Sequence, residues 1–489
     1  MDCVYTRKTR LRILLFTLVL FSGMSVAKEQ LNDNILAKVG QKDITITEFK
    51  ARCEFTIRPE NLRDKSVALN NLIFEKILAL EAENNNSLES NPVFRARLKG
   101  VKEQQMREKL CDQVAVNKAT VDTSTLLNAY RLSIREYELE FYRMHRQLAE
   151  KVKTLIDTGS GDVDLLFKGL SEYAGKQPVH KVKYNDSEYD TIHEALYTKP
   201  LQIGKVIGPI ELDPNDFLVM KVINWTAYPL LSDIDQRVRW NEVKEKEYSI
   251  RAEKIWEAYY AGVMRGKKID FDKKTFYTLA DWVREKYIVA QKEKVPSANP
   301  TSEIPFAASG VDLTTPFFTF EDKVWTVGDF KNELMSRPFL MRTQNIDSAN
   351  FYALFKSAVV DVMKDHCLTR EAYKLLLDTL EDIKRTVGMW KDSFVANYEQ
   401  KKVVDAAWTE GKVTKGDELG ILKIWESYVN NLQKKYKDSV WVNIPAFESI
   451  SLTKINMVAL KPGMPYQLLV PDFPKFISSE LFDYKKHKD

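Results

Sequence analysis

Between residues 35 and 50 the chain reads ILAKVGQKDITITEFK, and the order of its apolar and polar positions changes twice. Ile35, Ala37 and Val39 alternate with Leu36 and Lys38, a period of two that predicts a strand with at least one buried face. Residues 40–43 supply a turn, and Ile44 and Ile46 resume the alternation. Thr45 and Thr47 then stand where a helix needs an N-cap, and Thr45-x-x-Glu48 has capping-box spacing ahead of Phe49. Leu69, Leu72, Ile73, Ile77 and Leu80 recur at helical spacing, which predicts an amphipathic helix over residues 67–83, ended by the Asn run 84–86. Asn91-Pro92 matches a cap followed by proline at the first helical position and opens a charged helix through Lys109 or beyond. One strand and two or three helices make a helical domain over residues 28–130.

From Tyr137 the pattern becomes YELEFYRM, a strand, followed by the helix-compatible HRQLAEKVKTLIDTG with Gly159 as its C-cap. After a polar region, residues 194–222 carry Gly204, Gly208 and Pro209 as turn punctuation and lead into a strand from Phe217 to Ile223. This is the outline of a small α+β module over residues 131–228. Trp240, Val243, Tyr248, Ala252, Ile255, Trp256, Tyr259 and Val263 then form one stripe, so residues 229–293 read as a helical connector whose aromatic stripe is core. Residues 294–318, with prolines and little periodicity, read as a surface linker.

The opening element then returns. KVWTVGDFK, residues 323–331, aligns without gaps on KDITITEFK, residues 42–50, with Trp325 on Ile44, Thr326 on Thr45, Asp329 on Glu48 and Phe330 on Phe49. Downstream, LTREA at 368–372 falls on LALEA at 78–82. Two matches in the same order predict a duplicated strand-plus-helices unit. Ile44 and Phe49, and Trp325 and Phe330, are expected to anchor the two cores. The second unit, residues 319–489, is helical to about Lys437, then has a strand with Val440, Val442 and Ile444 on one face. Its tail from Pro462 reads as an irregular wrap.

Composition narrows the chemistry. At 489 residues the chain is too long for one core, which predicts several units. Net charge is +4, but Arg7, Lys8, Arg10 and Arg12 against Asp2 place +3 of it in the first 27 residues. The remainder, near +1, argues against nucleic acid as a partner. Four basic residues, an apolar run from Ile13 to Phe21 and the small residues Ser25 and Ala27 read as an export signal cut after Ala27, with an uncleaved anchor as the alternative. No cysteine follows at lipoprotein spacing, Arg7-Lys8 is not a twin arginine, and no later run would span a membrane. Cys53, Cys111 and Cys367 are too few and scattered for a disulfide framework and read as small buried hydrophobes, one exported pair being the alternative. His180 and His193 flank a polar loop and Asp365-His366 sits on a helix, without the spacing of a metal site, and no nucleophile elbow, phosphate loop or dinucleotide motif occurs, so no metal or cofactor is expected.

On these residues the chain resembles the exported chaperones and foldases of the SurA, PrsA and PpiD kind. ILAKVGQKDITITEF is similar to their N-terminal signature, a strand of the type A-x-V-N-G-x-x-I-T leading into a helix that opens Ser/Thr-Glu-Phe. Residues 137–225 resemble a divergent parvulin domain, a peptidyl-prolyl isomerase, most clearly at Ala195 to Ile210 and Asp216 to Val222. The resemblance implies histidines in the first and last strands of an active domain. Here Phe217 takes the last strand's Tyr position and Leu218 its His position, and His145 falls just beyond the first strand.

The fold expected is therefore α+β and mostly α-helical, with helical chaperone units flanking a parvulin-like module. The function expected is a periplasmic chaperone for unfolded or nascent exported polypeptides, outer-membrane precursors above all. Tyr142, Phe167, Phe217 and Met220 are its candidate peptide contacts, with core as the competing reading for each, and no catalytic residue is assigned. The alternative is a working prolyl isomerase, and a third reading is a structural envelope protein that has kept the fold alone.

Overall fold

A computed structural model of the chain describes residues 35–56, 64–85, 88–158, 163–175, 177–186, 189–213, 216–292, 310–336, 351–414, 416–452 and 470–473. The expected signal, the Gly159 cap, most of the linker and most of the proline-rich tail lie outside them. The fold is α+β and mostly helical, with small antiparallel sheets. Its described elements fall into two compact units: Asp112–Tyr259 is one, and the described residues from Ile35 to Cys111 together with those from Tyr260 are the other.

The chain opens with a hairpin, β1 (Ile35–Val39) and β2 (Lys42–Thr45), followed by α1 (Ile46–Glu54), α2 (Lys65–Asn85) and α3 (Pro92–Val114). Gly40 has φ +58°, the left-handed geometry a two-residue hairpin loop requires. Thr45 is the cap, its Oγ1 accepting from the Glu48 amide at 3.0 Å, so Ile46 is the first helical residue and not a continuation of the strand. Asn91 caps α3, accepting from the Val93 amide at 2.9 Å with Pro92 in the first turn.

Unit one begins with α4 (Thr123–Leu132), whose Asp122 cap accepts from the Thr125 amide, and continues with β3 (Arg135–Met144), α5 (Arg146–Thr158), α6 (Val163–Ala174), β4 (His180–Val182), α7 (Asp190–Tyr197), β5 (Val206–Asp213), β6 (Asp216–Ala227) and α8 (Asp233–Met264). Its antiparallel sheet has the order β4-β3-β6-β5, with β3 and β6 central. Alternation sends Tyr137, Leu139, Leu218, Met220 and Val222 to one face, with Leu196 of α7 and Val243 of α8. Tyr142, Met144 and Val219 go to the other, with Ala149 and Val152 of α5 and Phe167 and Leu170 of α6. Gly208 is no turn: it lies within β5 at φ +104°, where a Cβ would stand 2.5 Å from the Leu218 carbonyl oxygen. The stripe on α8 is mostly half-buried, only Val243 and Ala252 of its eight residues being buried.

Unit two adds β7 (Ile269–Phe271), α9 (Lys273–Lys292), β8 (Pro316–Phe320), β9 (Lys323–Thr326), α10 (Val327–Ser336), α11 (Phe351–Lys374), α12 (Glu381–Thr409), α13 (Glu418–Tyr436), β10 (Val440–Val442) and α14 (Ile444–Ser449). The order hairpin, short helix, long helix occurs twice, as β1-β2-α1-α2 and as β8-β9-α10-α11. Val39 faces Lys42 across the first turn and Phe320 faces Lys323 across the second, where Glu321 and Asp322 take φ +48° and +61°. The four expected anchors are core: Ile44, Phe49 and Phe330 are fully buried and Trp325 is 6% exposed. The second capping box is the complete one, since the Thr326 amide donates to Asp329 and the Asp329 amide to Thr326 Oγ1, each at 3.0 Å.

The two copies obtain their third strand from opposite directions in the chain. β7 precedes the second hairpin and pairs with β8, whereas β10, from near the chain's end, pairs with β1 through Ala37–Val442, Lys38–Trp441 and Val39–Val440. The first and last described strands thus share one sheet, and the helical domains drawn at 28–130 and 319–489 belong to one compact unit, with α4 outside it. For the same reason α2 is not amphipathic. Every residue from Ala68 to Ala79 is buried, because the hairpin, α1, α12 and α13 surround it. The copies also touch through α3 and α11, where Arg107 donates to Thr369 Oγ1 at 2.8 Å and Lys102 lies over the Tyr373 ring.

Burying α2 on all sides puts charge in the interior. Arg52 and Glu75, both with fully buried side chains, pair through two bonds of 2.7 and 2.8 Å, and Arg52 also donates to the Asp472 carbonyl at 3.1 Å beneath the Phe473 ring. Lys76 binds Glu48 at 2.8 Å and Asp392 of α12 at 2.9 Å; Asp392 binds Lys42 at 2.8 Å. Burial alone would lower the Lys76 ammonium, but Glu48 and Asp392 hold it above its ordinary value. Cys53 and Cys367 are buried thiols and Cys111 is half-buried.

Candidate functional site

The four peptide contacts expected from sequence lie on unit one's sheet and on α6; three of them share one cluster and Met220 lies apart. Tyr142 and Phe167 meet edge to face, with centroids 5.7 Å apart, at 2% and 3% exposure. Burial pushes the Tyr142 phenol up, and its hydroxyl donates to Glu140 at 3.0 Å. Phe217 is half-buried in the same cluster, with the Arg146 guanidinium 5.0 Å from its ring centre. Met220 is on the opposite face, 2% exposed, beside Phe141 and Ile207. A period of two separates Phe217 from Met220 by an odd step, so no single surface of β6 can present both.

The histidines follow the same logic. His145 ends β3 and caps α5, its carbonyl and Nδ1 both accepting from the Leu148 amide. His193 is buried among Tyr184 and Tyr197, its Nε2 3.8 Å from Glu247. His180 is exposed on the edge strand β4, edge-on to Phe141. Leu218, at the position where the parvulin resemblance implies histidine, is 5% exposed and faces Arg143 across the ladder.

An open cleft lies elsewhere, against the second hairpin of unit two. It encloses about 390 Å³ and is lined by Phe320, Glu321, Lys323, Trp325, Asp329, Asn332, Glu333, His366 and Arg370. Trp325 stacks on Phe318 with centroids 5.7 Å apart and takes the edge of His366 at 5.3 Å. The Lys323 ammonium sits 4.4 Å from the centre of the same indole. His366 Nδ1 is 2.9 Å from Glu333. Arg370 grips Glu321 through bonds of 2.6 and 2.9 Å while Lys267 binds the same carboxylate at 2.5 Å. That grip, chiefly from Arg370, brings Glu321 down to about 2. The Thr326 amide holds Asp329 below the ordinary carboxylate range.

Every acid in this cleft is engaged by a base or a backbone donor. The neighbouring Cys367 thiol is buried and pushed up by desolvation, the opposite of an activated nucleophile. The arrangement therefore suits recognition: an aromatic wall, an exposed ammonium and a fixed array of paired charges. Sequence reasoning noted Asp365-His366 and assigned Trp325 to the core. The partner of His366 is Glu333, a full helix away, and no spacing signals that pair.

Among the described residues no helix is long and apolar enough to cross a membrane, and no group of His, Cys, Asp and Glu side chains could hold a metal ion. No protein-family model matches this chain, and no curated protein matches it.

Proposed function

We propose that the protein is an exported, periplasmic chaperone that binds unfolded polypeptides, and that unit one is a parvulin-like module without isomerase activity. One observation carries the second half of this reading. The segments that resemble a parvulin's first and last strands are β3 and β6, adjacent at the centre of one sheet, and a buried leucine, Leu218, stands where the resemblance implies a histidine. His145 cannot substitute, being committed to the start of α5. Twisting a prolyl bond needs a pocket that disfavours the planar amide, and a polar network to hold such a pocket would have to come from these strands. The first half rests on the resemblance of the N-terminal element and on the hairpin-and-helix unit that occurs twice, since a binder of unfolded chains needs surfaces that tolerate many sequences.

A protease-coupled assay on a proline-containing peptide is expected to give a rate equal to buffer, while stoichiometric protein suppresses aggregation of an unfolded porin. Absence of suppression overturns the chaperone reading. A prolyl rate that Phe217→Ala abolishes would replace it with an isomerase.

A further inference from the structure

The C-terminal part of the chain is held to the first copy of the duplicated element in three ways, and the third differs from the other two. β10 is laddered to β1 through Ala37–Val442, Lys38–Trp441 and Val39–Val440. The end of α14 is held by Lys65, whose ammonium donates to the carbonyls of Phe447, Glu448 and Ile450 at 2.9, 3.1 and 2.9 Å. Residues 470–473, Val-Pro-Asp-Phe, form neither strand nor helix. Val470 and Pro471 are buried, Phe473 packs half-buried against the core of the first copy, and Asp472 is exposed. Among the described residues this segment makes one hydrogen bond, accepted by the Asp472 carbonyl from Arg52 at 3.1 Å, and the Phe473 ring centre lies 5.1 Å from the same guanidinium.

We propose that residues 470–473 occupy a peptide groove in cis, and that the groove takes the same kind of segment from a partner polypeptide: an extended stretch reading apolar, proline, any residue, phenylalanine. The contacts supply this rule. Val470, Pro471 and Phe473 are received as side chains, whereas Asp472 is read only through its carbonyl, which every residue offers. The reader is held in place beforehand, since Glu75 takes both terminal nitrogens of Arg52 at 2.7 and 2.8 Å and Nη2 still donates to the carbonyl. Proline fixes φ, so such a segment gives up less freedom on binding than an ordinary one. The segment can leave without undoing the fold around it, because the β10 ladder and the Lys65 bonds do not involve it. Being part of the same chain, it stands against the groove at a high effective concentration and acts as a built-in competitor. The inference rests on these contacts and stands whether or not the protein is a chaperone.

The probe is a fluorescent synthetic peptide with the sequence of residues 466–474, titrated by anisotropy into the full chain. A full chain carrying Phe473→Ala, whose own segment is weakened, is expected to bind it saturably and at least about tenfold more tightly than the wild type. The Phe473→Ala peptide should lose this binding and the Asp472→Ser peptide should keep it. Phe473 is half-buried, so the variant chain is expected to retain the wild-type circular dichroism spectrum; a second chain, Pro471→Ala, keeps the aromatic contact and should show a smaller gain. Equal binding by wild-type and variant chains, no saturable binding to either variant, or binding that ignores Phe473→Ala in the peptide would each overturn the proposal. Loss of the native spectrum in both variant chains would overturn it as well, since the segment would then be a fixed part of the core. None of these outcomes depends on the porin assay.

Discussion

Replacing Glu75 by glutamine is expected to be the most damaging conservative change in unit two. The Arg52 and Glu75 side chains are fully buried and joined at 2.7 and 2.8 Å. At that separation and an effective dielectric near 20 their attraction is roughly 6 kcal/mol, which is offset by several kcal/mol of desolvation for each ion. The intact pair therefore contributes little net stability. Glutamine removes the counter-charge and leaves a fully buried guanidinium uncompensated, with only the amide oxygen and the Asp472 carbonyl as acceptors and an Nε that already has no partner among the described residues. Breaking a buried pair in this way costs about 3–5 kcal/mol. For a unit of this size that corresponds to roughly 6–20 °C in the melting transition followed by circular dichroism, with loss of hydrogen-exchange protection along α2. The double variant Arg52→Met/Glu75→Leu restores an uncharged interior and is expected to melt near or above the wild type. If the glutamine variant melts within about 2 °C of wild type, or the double variant is no better than the single, the cost of the orphaned charge has been misjudged.

Gly208→Ala should destabilise unit one by more than about 1–3 kcal/mol, read as an earlier urea transition, because φ +104° and a carbonyl 2.5 Å from the new Cβ leave no room to relax; an unchanged transition would contradict that geometry. Thr326→Ala and Thr45→Ala should each cost about 0.5–2 kcal/mol, Thr326 the more, since its Oγ1 both accepts from the Asp329 amide at 3.0 Å and donates to the Asp329 carboxylate at 3.1 Å; equal or reversed losses would mean the second bond is idle. Glu253 of α8 is raised to about 7, first by burial and then by Asp190 and Glu257, with Lys246 opposing. A raised carboxyl favours the fold when protonated, so its contribution is full below the ordinary 4.5 and fades as pH rises through about 7. Glu253→Gln should flatten the fall in urea midpoint between pH 5 and 8, and an equal slope in both proteins would refute the assignment.

The duplicated element was legible because its signal is local. A two-residue turn, a threonine cap and an aromatic four residues later fix strand, helix start and core anchor without reference to the rest of the chain, and Thr45, Phe49, Thr326 and Phe330 fill these roles. What surrounds an element is not local. Nothing in the apolar spacing of α2 tells that α12 and α13 cover its polar side, so an amphipathic reading misses that Glu75 and Lys76 are buried charges, the one paired with Arg52 of α1 and the other with Asp392 far along the chain. That the two helical units share one compact unit was illegible for the same reason, since Val440 and Val442 announce a strand but not that its neighbour is β1. Trp325 read as core because most of it is; the small exposed part that walls the cleft is visible only once Lys323 and His366 stand beside it.

The pairing of Ala37 with Val442 sets an order of events in time. As the chain is delivered from its N-terminus, unit one, which is continuous in sequence, can close on itself, and so can the second hairpin with its helices. The first hairpin must wait for some 400 residues before its sheet gains a third strand, and α2 must wait for α12 and α13 before it gains its cover, a loop whose closure is slow as well as entropically costly. Until those helices arrive the buried stretch of α2 stands uncovered, so premature termination before α12 yields not a shorter folded protein but a sticky, protease-sensitive one.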